Sequence, residues 1–132
     1  MPPDPTYFVK IASCAFFAIL FLQSGIDKVL DYKGNLSYFQ DHFSKSPLKS
    51  FVGAMMPAIT LLELASGVLS GAGAFLIPKH GEPFVAIYGI ELCCLSLLCL
   101  FLGQRVAKDY AGASTLAIYM GVALITLMLL GG

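Results

Sequence analysis

The stretch FLQSGIDKVL, residues 21–30, closes the first long apolar segment of the chain, and the interpretation of the whole sequence starts from it. An α-helix rises about 1.5 Å per residue and the hydrocarbon core of a bilayer is about 30 Å thick, so about 20 residues cross it. Residues 7–26 supply that length. Polar side chains are grouped in and just after its last turn: Gln23, Ser24, Asp27 and Lys28. We therefore predict a membrane-spanning helix with a polar group at or just inside one membrane face.

The composition also favours a membrane protein. Of the 132 residues, 58% are hydrophobic and 12% are charged, and this charged share is about half of that in soluble domains. A soluble domain of this size leaves too much surface exposed to hide so many apolar side chains. We predict a single integral-membrane domain over residues 1–132, with the lipid bilayer as its solvent. The formal net charge is zero, so no charge excess indicates a nucleic-acid partner.

Three further apolar segments follow the first, which predicts an all-α, polytopic membrane four-helix bundle. The predicted spans cover residues 7–30, 51–77, 83–103 and 110–130. Between the first two spans, Leu36, Phe39 and Phe43 recur at helical spacing after Asn35, a typical N-cap residue. This pattern predicts a short interfacial helix that lies on the membrane surface. The sequence PKHG, residues 78–81, predicts a tight connection between the second and third spans.

Small residues at four-residue spacing predict close contacts between helices. The second span carries Gly67 and Gly71, and the fourth carries Ala113, Ala117 and Gly121.

The distribution of basic residues predicts the orientation in the membrane. Four spans place both termini on one side, together with Lys10 and Lys79. Six basic residues lie on the other side: Lys28, Lys33, Lys45, Lys49, Arg105 and Lys108. Because short cytoplasmic loops are rich in Lys and Arg, we expect the loops 28–50 and 104–109 in the cytoplasm and both termini outside.

Two carboxylates fall inside predicted spans, Glu63 in the second and Glu91 in the third. An acid within a bilayer is costly, so it faces the bundle interior, meets a partner or stays protonated. Glu63 is a structural hydrogen-bonding residue, a residue that handles a ligand or a proton, or a contact for a partner protein. For Glu91 a structural or partner contact is the favoured interpretation.

The candidate polar site combines these acids with polar residues near one membrane face. Its members are Gln23, Ser24, Asp27, Lys28, Glu63, Glu91, Arg105 and Asp109. Two of its parts have simpler interpretations, since Asp27 and Lys28 are also typical of a solvated helix end. Arg105 and the nearby Lys108 are also typical of membrane-topology anchors.

Other chemistry finds little support in the sequence. The four cysteines lie in apolar segments without the paired spacing of zinc sites, and the histidines, His42 and His80, fall in loops predicted on opposite faces. We therefore predict no metal site. No nucleophile has a base beside it and no glycine-rich phosphate loop is present, so no cofactor is evident.

Three motifs resemble DoxX-like proteins. Residues 21–30 resemble the family's "FLxSGxxKL" pattern, Pro57 followed by Glu63-Leu64-x-x-Gly67 is similar to its second helix, and residues 103–113 are similar to its corner before the fourth helix. The resemblance implies a four-helix protein of the bacterial plasma membrane. Some relatives are described as subunits of thiosulfate:quinone oxidoreductases, which implies a quinone or a lipid as the ligand. The matched polar positions are Gln23, Ser24, Lys28, Glu63, Arg105 and Asp109.

Three functions are consistent with this sequence. The first is a small subunit of a larger membrane complex of a respiratory or redox type. The second is a quinone-reactive oxidoreductase subunit in which Glu63 handles a proton and Lys28 or Arg105 holds a polar group. The third is a small transporter or channel. This function would need oligomerisation, because four spans without inverted repeats are poorly suited to an alternating-access mechanism. Whether the protein is an enzyme stays open at this point.

Overall fold

The computed structural model describes residues 5–81 and 83–131, and every regular element in that part of the chain is helical. The helices are α1 (Pro5–Leu30), α2 (Tyr32–His42), α3 (Val52–His80), α4 (Phe84–Val106) and α5 (Tyr110–Gly131), with a short 3-10 turn at Lys49–Phe51. Four of them, α1, α3, α4 and α5, are long and apolar enough to cross a bilayer. This confirms the predicted four-span bundle with a short helix between the first two spans.

The helices α1 and α3 pack antiparallel at very close range. Gly25 of α1 lies against Leu64 of α3, and Gly67 of α3 lies against Leu22 of α1. A Cβ atom on Gly67 would lie 2.8 Å from the backbone nitrogen of Leu22. Because that distance is shorter than a van der Waals contact, only glycine permits this approach. Gly71, one turn later, is less tightly constrained: its Cβ would lie 3.5 Å from the nearest neighbouring atom.

Helix α4 packs antiparallel against the other side of α3, and hydroxyl and thiol groups meet across the contact. The Oγ atoms of Ser66 and Ser96 are 2.9 Å apart, and Ser70 Oγ lies 3.3 Å from Cys93 Sγ. All four residues are buried. These pairs satisfy polar groups that are buried between the two helices, as is common between membrane helices.

Helix α5 packs mainly on α4 and closes the bundle against α1, where the rings of Phe16 and Tyr119 are 5.9 Å apart. Its small-residue stripe contributes little to this packing. Ala113 is buried, but Ala117 is exposed, and a Cβ on Gly121 would meet no described atom within 4 Å. Most of the stripe therefore faces outward.

The start of α2 differs from the prediction, which placed the N-cap at Asn35. The helix begins at Tyr32, and the Asp31 side chain caps it by accepting the Gly34 N–H at 3.2 Å. Asn35 lies inside the helix, where its amide donates to the carbonyl oxygen of Asp31 at 2.8 Å. The prediction was wrong because both residue types cap helices well, and the earlier one satisfies the free N–H groups first.

The connection between α3 and α4 is also shorter than predicted. Residues 78–80 belong to the last turn of α3, and Gly81 ends the helix with a φ of 64°. The predicted connection over residues 78–81 therefore begins at Gly81 rather than at Pro78, because a proline in the last turn keeps helical φ and forgoes a single hydrogen bond. Glycine adopts the left-handed conformation that follows without steric cost.

Candidate functional site

Lys28 and Glu63 form a buried ion pair between α1 and α3. Lys28 Nζ lies 2.8 Å from Glu63 Oε1, and the two side chains are 8% and 3% exposed. Ser24 connects them: its hydroxyl donates to Glu63 Oε2 at 2.7 Å and accepts from Lys28 Nζ at 3.0 Å. The three side chains thus form one closed network, named here the Lys28–Ser24–Glu63 site.

The local sequence explains why these groups meet. Ser24 and Lys28 are four residues apart on α1, so they lie on the same face of the helix. The Cα–Cβ bonds of a helix tilt toward its N-terminus, and this tilt aims the Lys28 side chain back toward Ser24 and the bundle interior. Gly25 and Gly67 allow the two backbones to approach closely, which brings the carboxylate of Glu63 within reach.

The two oxygens of the Glu63 carboxyl group make different contacts. Glu63 accepts a hydrogen bond from Ser24 through Oε2, while Oε1 has no well-aligned donor among the described residues and makes an electrostatic contact with Lys28. Lys28 therefore lies within ion-pair distance of a carboxyl group whose other oxygen is bound by Ser24.

A cavity of about 100 Å³ adjoins this site. Ser24 and Glu63 bound it on one side, and Leu97, Leu116 and Tyr119 of α4 and α5 bound it on the other. Small-molecule pockets usually measure about 300–1,000 Å³. The cavity is therefore large enough for a few water molecules, and a larger ligand would require the bundle to open.

The other members of the predicted polar site lie elsewhere. Gln23 and Asp27 are exposed on α1. Arg105 is exposed at the end of α4, with its guanidinium carbon 4.6 Å from the centre of the Tyr110 ring. Glu91 is exposed on the outer surface of α4. The structure thus brings together Ser24, Lys28 and Glu63 and leaves these four residues outside, together with Asp109 at the start of α5.

A second polar cluster, which sequence reasoning did not anticipate, joins α2 to the corner between α4 and α5. His42 Nε2 lies 2.7 Å from Gln104 Oε1 and 3.8 Å from Asp109 Oδ2. Asp109 also accepts the Gly112 N–H at 3.0 Å and so caps α5. No local sequence pattern indicates this cluster, because His42 and its partners are far apart in the chain.

An apolar groove of about 300 Å³ runs between α2, α3 and α4. It is named here the α2–α4 groove. Phe39 of α2 and Phe43, which directly follows α2, line one end, and Gln104 of α4 lies at that same end. Along α3 the lining extends from Val52 to Leu62. Its size is at the lower limit of small-molecule sites.

Within residues 5–81 and 83–131, no group of three or more His, Cys, Asp or Glu side chains is arranged to hold a metal ion.

In comparisons with known proteins, no family model matches the sequence, and no curated protein or solved structure is significantly similar to it. The resemblance to DoxX-like proteins therefore depends on the three sequence motifs and stays a prediction.

Proposed function

We propose that this protein is a DoxX-like small subunit of a larger, respiratory or redox, complex in the bacterial plasma membrane. The observation that carries the proposal is the position of Glu91. This residue lies seven positions after the start of α4, or about 10 Å along a helix that is apolar enough to span the bilayer. Its side chain is exposed, so in a membrane it faces lipid rather than the bundle interior.

The surroundings of Glu91 strengthen the argument for a partner. An acid in the hydrocarbon region costs a few kcal/mol and almost always pairs with another polar group. The buried Lys28 ammonium is already paired with Glu63, and no hydrogen bond or ion pair joins Glu91 to another residue in the described part of the chain. Tyr88 and Leu95 lie on the same exposed face of α4. A second membrane protein that packs on this face would bury the carboxyl group and supply its polar partner.

The proposal is tested by extracting the native protein in mild detergent and identifying the proteins that accompany it by mass spectrometry. We expect membrane subunits to accompany the wild type and to be lost from Glu91→Leu. Ile118→Ala is the control, since Ile118 is also exposed but lies on α5 rather than on α4. A wild-type protein that elutes as a clean monomer would contradict the proposal.

The quinone-reactive alternative has less support from the geometry. Lys28 and Glu63 neutralise each other, Arg105 does not line the cavity beside Glu63, and that cavity has a volume of about 100 Å³. A quinone at this site would have to open the bundle. Loss of quinone-linked activity in a folded Glu63→Gln variant is the observation that this alternative requires. Transport by an oligomer would similarly require proton flux into liposomes that disappears in the same variant.

The proposed orientation keeps the loops 28–50 and 104–109 in the cytoplasm and both termini outside. The contact of His42 with Gln104 and Asp109 supports placing these two loops at the same end of the bundle. Single cysteines at Lys33 and at Lys79, in a chain whose native cysteines are replaced by serine or alanine, would test the orientation. In intact cells we expect a membrane-impermeant thiol reagent to label the second position and not the first.

A further inference from the structure

We propose that the α2–α4 groove binds one acyl chain of an anionic phospholipid, whose headgroup lies near Lys45, Lys49 and Arg105. The proposal does not depend on the protein's being a complex subunit. It follows from the shape and lining of the groove, from its depth in the membrane, and from the charges that surround one of its ends.

The lining suits a hydrocarbon chain. It consists of aliphatic, aromatic and methionine side chains, with the Cys99 thiol and the Gln104 amide as its more polar members. The side-chain oxygen of Gln104, Oε1, is already hydrogen-bonded to His42 Nε2 at 2.7 Å. The groove therefore offers a ligand little besides apolar contact along its length, and methionines such as Met55 and Met56 adapt readily to a flexible chain.

The direction of the groove matches that of lipid chains. Its lining on α3 runs from Val52 to Leu62, which is about 15 Å along the helix axis. It begins beside α2, at the end of the bundle, and continues along two membrane-spanning helices. An acyl chain that enters from the adjacent leaflet would lie in the same direction with its headgroup at the α2 end.

The size of the groove excludes a partner helix as its occupant. A helix with its side chains is about 10–12 Å in diameter and rises 5.4 Å per turn, so one turn fills about 500 Å³. The groove has a volume of about 300 Å³. A single flexible chain enters such a space and a helix does not. Contact between a partner and Glu91 is a separate matter, since that residue is not part of the lining.

Positive charges predominate beside the α2 end. Lys49 follows the lining residue Leu48, Arg105 follows Gln104, and Lys45 lies two residues after Phe43. These three side chains are exposed. The carboxylates of this region are Asp41, which is exposed on α2, and Asp109, which caps α5 and lies near His42. Lys and Arg side chains near a membrane surface attract anionic lipids, so this end favours a phospholipid headgroup with a net negative charge.

The test is native mass spectrometry of the full chain after reconstitution in nanodiscs that contain phosphatidylglycerol and phosphatidylcholine in equal amounts. We expect the wild type to retain one phosphatidylglycerol molecule in preference to phosphatidylcholine. Equal retention of the two lipids, or retention of neither, would overturn the proposal. Retention of a free fatty acid or an isoprenoid quinone carried over from the cells would also overturn it, and the masses distinguish these ligands.

Two sets of variants locate the bound lipid. Ala58→Trp fills the groove and should lower lipid retention about tenfold, whereas Ala65→Trp places the same side chain on an exposed part of α3 outside the lining. The double variant Lys45→Gln/Lys49→Gln should lower the preference for phosphatidylglycerol at least about fivefold, whereas Lys33→Gln should not. Undiminished retention by a folded Ala58→Trp variant would show that the lipid binds elsewhere. The wild-type lipid comparison remains decisive if Ala58→Trp does not fold.

Discussion

The ammonium nitrogen of Lys28 lies 2.8 Å from a carboxylate oxygen of Glu63, and both side chains are almost completely buried between α1 and α3. A lysine near the end of a membrane-spanning helix usually extends toward the headgroups. Here the side chain turns into the bundle because Glu63 and the hydroxyl of Ser24 bind it there. The pair neutralises a buried acid and fixes the position of α1 along α3.

This arrangement predicts that removing one charge of the pair destabilises the protein more than removing both charges together. Lys28→Met leaves an unpaired buried carboxylate, and we expect it to lower the free energy of unfolding by about 3–5 kcal/mol. In Lys28→Met/Glu63→Leu, apolar side chains replace the pair, and most of the loss should be recovered. Unfolding in detergent, followed by circular dichroism against increasing denaturant, measures these differences.

The control for this prediction is Asp27→Asn, which removes an exposed charge next to Lys28. Its effect should stay within about 0.5 kcal/mol. If the single variants are as stable as the control, the ion pair does not hold α1 on α3.

Two glycines that follow the same sequence pattern should respond in opposite ways to alanine. Gly67→Ala places a Cβ 2.8 Å from the backbone of Leu22, and the resulting overpacking should cost about 1–3 kcal/mol. Gly121→Ala meets no described atom within 4 Å and should leave stability unchanged or slightly higher, because alanine favours a helix. Thermal unfolding of both variants in the same detergent measures the difference, and equal melting temperatures would contradict the close packing of α1 on α3.

These two glycines also show how far the sequence predicts this structure. The spans were predictable because the bilayer dictates the length and apolar character of a helix that crosses it. The contacts of each small-residue stripe were not predictable. Gly67 and Gly121 both lie in four-residue repeats, and only the tertiary packing shows that the first is in close contact and the second is not. The same limit applied to Asn35, a good N-cap type that lies inside α2.

The candidate site was predictable in part for a similar reason. Ser24, Lys28 and Glu63 were recognisable as polar residues near or inside spans, but the inward direction of Lys28 depends on where α3 packs. His42 was missed because its partners, Gln104 and Asp109, come from the distant corner between α4 and α5. Local sequence around His42 contains no information about that corner.

Removal of the His42 side chain should loosen α2 without unfolding the bundle. His42 bonds Gln104 at 2.7 Å, and α2 itself has no buried residue between Tyr32 and His42. We therefore expect His42→Ala to accelerate amide hydrogen exchange in α2 and to leave exchange in the middle of α3 unchanged. Ser37→Ala, an exposed change on the same helix, is the control. Identical exchange in His42→Ala and the wild type would show that this contact does not anchor α2.

The corner between α4 and α5 contains a residue whose backbone conformation predicts a stabilising substitution. Lys108 has a φ of 62°, in the left-handed region that costs a non-glycine residue about 1–2 kcal/mol. Lys108→Gly should relieve that strain and, after the greater entropy loss of glycine on folding, raise the free energy of unfolding by about 0.5–1 kcal/mol. Ala107→Gly is the matched control, because Ala107 has a φ of −76° and gains nothing from glycine. We expect the first variant to melt at a higher temperature than the wild type and the second at a lower one. The opposite order would mean that Lys108 does not occupy the left-handed conformation in the membrane-embedded protein.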